Sequence, residues 1–141
     1  MRIFVVCVVV CFMSCTEQPK KETAQKIEFD LYEPSEMANL MNEMYNYNLA
    51  VKDSILNGNM PSHFPMEFLE IHKAEMTNGK SRNTVFNSFS EVFLKAQETF
   101  HTTTDSTLVK QNFNNMVNVC ITCHQTECTG PIPRIKKLLI Q

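Results

Sequence analysis

Glycine is scarce in this sequence, with 3 residues in 141. A turn-rich all-β domain needs far more positions free of a side chain, so the scarcity argues against that class. Convincing strand alternation is missing too, and nothing repeats at a fixed period. Charge of one sign is also lacking: 13 Lys and Arg stand against 15 Asp and Glu, a formal net of −2. That balance gives no electrostatic case for a nucleic-acid partner. No apolar run reaches the roughly 20 residues of a permanent bilayer-spanning helix. The run from Ile3 to Met13 has eleven.

What is present is a globular composition, 43% apolar, of a length suited to one domain with a single core. Arg2, the apolar run and the small Ser14 before Cys15 read as a processed leader over 1–14. Ser14-Cys15 followed by the polar Thr16 to Lys21 resembles the lipobox of bacterial lipoproteins. That resemblance implies lipidation at Cys15 and a periplasm-facing protein of the cell envelope, anchored in the inner or outer membrane. The Lys/Glu/Gln/Thr-rich stretch 15–33 is expected to be a tether between lipid and domain.

The folded domain is expected over 34–141. Pro34 and Glu36 mark a helix start. Met37, Leu40, Met41, Met44, Tyr47, Val51 and Ile55 then recur at helical steps, until Asn57-Gly58-Asn59 stops them. A shorter second helix is predicted from Pro65 to Glu75, carrying Phe68, Leu69 and His72, with Thr77-Asn78-Gly79 as its end. The third runs from Asn83 to His101 with Val85, Phe86, Phe89, Val92, Phe93, Ala96 and Phe100 as its stripe. Asp105 or Ser106 caps the fourth, whose inner side is Leu108, Phe113, Met116, Val117, Cys120 and His124. Cys128 to Pro131 ends it, with Gly130 as a left-handed cap, and Ile132, Ile135, Leu138 and Leu139 form a short terminal helix. Four apolar stripes joined by short connections predict an all-α fold, an antiparallel four-helix bundle.

With Cys7 and Cys11 in the leader and Cys15 lipidated, three cysteines remain, too few for a disulfide framework. Two of them lie in Cys120-Ile121-Thr122-Cys123-His124, the C-x-x-C-H spacing. In that spacing two thiols add to the vinyl groups of a haem and the adjacent imidazole takes the iron. On a helix Cys120 and His124 share one face, with Cys123 beside them. The expectation is one haem c per chain, held by Cys120 and Cys123 with His124 as proximal iron ligand. Arg134, Lys136 and Lys137 are placed in sequence to neutralise its propionates. Two other chemistries use the same residues. A redox dithiol wants a strand ahead of the motif, whereas Asn112 to Val119 are helical in pattern. A zinc site wants four ligands, and His124 and Cys128 are the neighbours able to complete one.

An exported four-helix chain with C-x-x-C-H in its last long helix resembles the class II c-type cytochromes, the cytochrome c′ and cytochrome c556 group. The resemblance covers Pro34 to Gln141 and implies an electron carrier with a redox partner protein in the envelope. It implies a first helix facing the distal side of the haem, where Leu40-Met41 matches the pair over the iron. Met41 is then the distal ligand, with Met44 the second choice and His72 a competitor. A Met stripe at helical spacing also serves as core filler. Were the distal position open or displaceable, the resemblance would imply a cytochrome c′-like protein binding nitric oxide or carbon monoxide. His63 and His101 read as solvated or structural, Cys128 as a free thiol. No distal acid–base pair marks an enzyme. Relatives often form homodimers, and no heptad in this chain separates a dimer face from the core.

Overall fold

A computed structural model describes residues 33–60 and 63–141. The expected leader 1–14, the residue Cys15 expected to carry lipid and the expected tether up to residue 32 lie outside the described residues, as do Pro61 and Ser62. Three long α-helices carry the fold: α1 (Glu36–Leu56), α2 (Thr84–His101) and α3 (Ser106–Glu127). A 3-10 segment, Met66–His72, lies between α1 and α2. A short α4 (Ile132–Ile135) and a 3-10 turn (Lys136–Leu138) follow α3. The fold is all-α, with no strand among the described residues. None of their helices is long and apolar enough to cross a membrane.

Each long helix starts where a side chain can take an unpaired amide. Ser35 Oγ accepts from Ala38 N at 3.1 Å, Asn83 Oδ1 from Phe86 N at 2.8 Å, and Asp105 Oδ1 from Thr107 N at 2.8 Å. Such a cap is worth about 1 kcal/mol. The Thr107 hydroxyl, and then its amide, hold the Asp105 carboxyl below its ordinary range. After α1 and after the first 3-10 segment the chain turns at Gly58 (φ 80°) and Gly79 (φ 79°), a backbone region costly to any residue with a Cβ.

The core lies chiefly between α2 and α3, which pack against each other more extensively than any other pair of elements. Phe86, Phe93 and Phe100 meet Val109, Phe113, Met116, Val117 and Ile121. The rings of Phe100 and Phe113 are 5.4 Å apart, edge to face. At the other end Asn83 Nδ2 donates to Glu127 Oε2 at 3.2 Å, which fixes an antiparallel register. From α1, Met37, Leu40 and Met44 complete the core. The start of α1 is tied to the loop before α2 by Ser35 Oγ with Thr77 Oγ1 at 2.8 Å and by Glu75 N donating to Glu36 Oε2 at 2.8 Å. Beyond α3, Ile135, Leu138 and Ile140 are buried, and Lys52 Nζ donates to the carbonyls of Lys137 (2.7 Å) and Leu139 (2.9 Å). Asn114 pairs with both main-chain groups of Ile140 at 2.9 Å.

Several expectations change. The second helix is a 3-10 segment of seven residues. Phe68 and Ile71 are buried in it and Ala74 just beyond it, a spacing of three that matches the 3-10 period, while Leu69 faces out. On α2, Val85 and Val92 are 46% and 52% exposed, while Ser90 and Gln97 take core positions. Asn48 does the same on α1. On α3 Leu108 faces out, and Val109 and Ile121 face in. Gly130 is not left-handed; α3 ends because Cys128 turns extended (φ −162°, ψ 93°) while its amide still donates to His124 O at 3.2 Å.

Candidate functional site

The last two turns of α3 hold Cys120, Cys123 and His124. Cys120 packs against the core, and its Sγ leans back to the carbonyl of Met116 at 3.6 Å. Burial pushes this thiol up to about 12, with the nearby Cys123 adding to the effect. Cys123, half-buried, is raised to about 11 by burial and by the Glu127 carboxylate. Cys120, Cys123 and Cys128 are all unbridged. Dithiol exchange uses a thiolate, so raised thiols in this pair work against redox nucleophilicity.

His124 Nδ1 lies 2.8 Å from the carbonyl oxygen of Cys128. A carbonyl can only accept, so Nδ1 donates, and a ring that binds a metal through its other nitrogen would do so with the lone pair of Nε2. Metal-ligating imidazoles are oriented in this way, one nitrogen donating to the protein and the other left for the metal. The bond depends on where α3 stops: the extended Cys128 turns its carbonyl back toward the helix. Lys80 Nζ donates to Glu127 O at 2.8 Å, and together with the Asn83–Glu127 bond holds this end in place.

A closed zinc site does not form among the described residues, where no three His, Cys, Asp or Glu side chains gather to hold a metal. Cys128 is exposed and contributes its main chain. For a covalently attached haem the donor set is suitable: two unbridged thiols three residues apart and an imidazole oriented by its Nδ1. The Cys120 thiol packs on core side chains, so a porphyrin attached there would take over some of their space.

Met41 is half-buried and packs on the same core cluster as Cys120. Met44, the second choice, is buried in that cluster, as is Met37. The exposed His72 has Nδ1 3.5 Å from Ser90 Oγ. His63 is exposed and its carbonyl accepts from Tyr47 Oη at 3.1 Å; His101 Nε2 is 3.4 Å from the same hydroxyl. Arg134 is engaged by α1, its guanidinium 3.8 Å over the Tyr45 ring and bonded to Asn42 Oδ1 at 2.7 Å. Lys136 and Lys137 are exposed. Two clefts, of about 490 and about 630 Å³, flank the 3-10 segment around Phe64, and neither is lined by Cys120, Cys123, His124 or Met41.

Sequence reasoning missed the Cys128 carbonyl and the buried amides of Asn48 and Gln97. A main-chain acceptor has no residue signature, and a polar residue interrupting an apolar stripe was the available signal for the amides. Comparison with protein-family models, curated proteins and solved structures finds no match.

Proposed function

We propose that the chain is a c-type haem protein of the bacterial cell envelope that carries electrons. Cys120 and Cys123 hold the porphyrin, one per chain, and His124 Nε2 holds its iron. The observation that carries this reading is the His124 Nδ1 bond to the Cys128 carbonyl, which orients the imidazole inside a C-x-x-C-H spacing. Cys120 and Cys123 would supply the two thiols for thioether attachment, an addition to the vinyl groups that would need no oxidant. When bound, the haem supplies a reversible one-electron couple. The protein's part is to keep His124 from rotating, to exclude water through the apolar faces of α1 and α2, and to fill the distal side from α1 with Met41 or, failing that, Met44.

In the same reading, α1, the 3-10 segment, α2 and α3 form an antiparallel four-helix bundle of the class II cytochrome kind, its second member cut to seven residues. Cys15 carries lipid, and 15–33 lets the domain reach a redox partner protein from the membrane surface. An enzyme is not proposed.

Production with haem-maturation machinery tests the reading. The expected product is coloured, keeps its haem through acid-acetone extraction, and loses it when both Cys120 and Cys123 are replaced by Ser. A colourless product ends the proposal. Met41→Ala removes the sulfur-to-iron charge-transfer band if Met41 is the distal ligand. Ready uptake of carbon monoxide or nitric oxide by the wild-type ferrous protein would instead assign it to gas binding. Palmitate labelling lost in Cys15→Ala supports the anchor.

A further inference from the structure

The cleft of about 490 Å³ beside the 3-10 segment has two walls. Glu43 and Tyr47 come from α1, Glu67 and Phe68 from the segment, with His63 and Phe64 of the intervening loop. The rings of Tyr47 and Phe68 meet edge to face at 5.3 Å, and Tyr47 Oη donates to the His63 carbonyl at 3.1 Å, so the walls are tied to each other. Glu43 and Glu67 each stand without an ion-pair or hydrogen-bond partner among the described residues. No Lys or Arg lines this cleft. The neighbouring cleft of about 630 Å³ differs: Lys95 lines it and pairs with Glu98 at 2.8 Å, so that one holds its own cation.

We propose that this cleft binds a small quaternary ammonium compound, its trimethylammonium head against the rings of Tyr47, Phe64 and Phe68 and within reach of the Glu43 and Glu67 carboxylates. Two carboxylates facing one cleft repel each other and attract a cation. Aromatic faces favour a cation that gives up its water easily. A metal ion lacks a donor set, because no three His, Cys, Asp or Glu side chains gather to hold one among the described residues. A primary ammonium brings three N–H donors that all need acceptors, whereas the methylated head has none to satisfy. Neither Cys120, Cys123 nor His124 lines the cleft, so the proposal stands apart from the haem reading.

The test titrates the full chain with choline chloride and follows the heat of binding and the backbone amide shifts. The references are sodium chloride at equal ionic strength and dimethylbutanol, the uncharged isostere with carbon in place of nitrogen. Saturable choline binding is expected, with shifts at Phe64, Glu67 and Phe68 and far weaker binding of the alcohol. Replacing both carboxylates, Glu43→Gln with Glu67→Gln, should weaken choline about fivefold. Both residues are exposed, so the exchange keeps the fold. Phe64→Leu should weaken it about threefold, and Glu91→Gln in the neighbouring cleft should leave it unchanged. Phosphatidylcholine vesicles that compete with choline would support the site and assign the head to a lipid; with saturable binding and no competition, the ligand is a free compound. No saturable binding, equal binding of the alcohol, or wild-type affinity in the double Gln variant overturns the proposal. Covalent haem, read on the same sample, decides the haem reading separately.

Discussion

The two halves of α3 do different work. From Val109 to Val117 the helix turns Val109, Phe113, Met116 and Val117 into a tightly closed interface with α2. From Cys120 to Glu127 it carries half-buried thiols and an imidazole, and its end is held by hydrogen bonds from Lys80 and Asn83 and by the Cys128 turn. The first half draws its stability from area removed from water, so it tolerates little change in volume. The second is fixed by a few directional bonds. Its exposed side chains can change while the helix persists.

Truncation separates the halves most sharply. Phe113→Ala should cost about 3–5 kcal/mol in urea unfolding of the haem-free protein, because a fully buried ring leaves a cavity. Cys123→Ser should cost less than about 1 kcal/mol. Equal losses would break the distinction. Next in size is Asn83→Ala, which removes both the α2 cap and the bond to Glu127 and should cost about 1–2 kcal/mol. Amide exchange should also speed up at the Cys128 turn in that variant and stay unchanged near Phe113.

A pH titration sharpens the contrast further. The folded thiols of Cys120 and Cys123 are raised to about 12 and about 11, above the ordinary 9.0. The folded state therefore keeps protons that the unfolded chain releases. The associated stability is complete below pH 9.0 and is lost as pH rises from there through the folded values. In haem-free protein the thermal midpoint should fall over that range, and replacing both thiols by Ala should remove that part of the fall. Smallest of all is Cys128→Ala, expected within about 0.5 kcal/mol because only its carbonyl is used. A large loss there would show that the thiol, not the main chain, holds the turn.

The helices were legible wherever a local rule decides. Asn83 and Asp105 marked starts through side-chain oxygens, and Gly58 and Gly79 marked stops through positive φ. The core was legible only in part. Counting apolar residues put Val85 and Val92 inside and overlooked Ser90 and Gln97, because the rotation of a helix is chosen by the whole interface and not by its own most apolar positions. Gly130 shows the converse: a residue suited to a left-handed cap lies past a helix that ends by another route. The C-x-x-C-H spacing of Cys120 to His124 was legible in the sequence, where it suggested a haem site and left a dithiol or a zinc site as alternatives. The orientation of the His124 ring was not, since its partner is a carbonyl four residues on that any amino acid could have supplied.

The 3-10 segment Met66–His72 makes its turns with the poorer hydrogen-bond geometry of that helix type, and it is held to the body mainly by Phe68 and Ile71. It should accordingly open as a separate unit, its amides exchanging well before those of the three long helices. Such opening would lift Phe68 off the rings of Tyr47 and Phe93 against which it packs, while leaving the contacts of α3 with α2 in place.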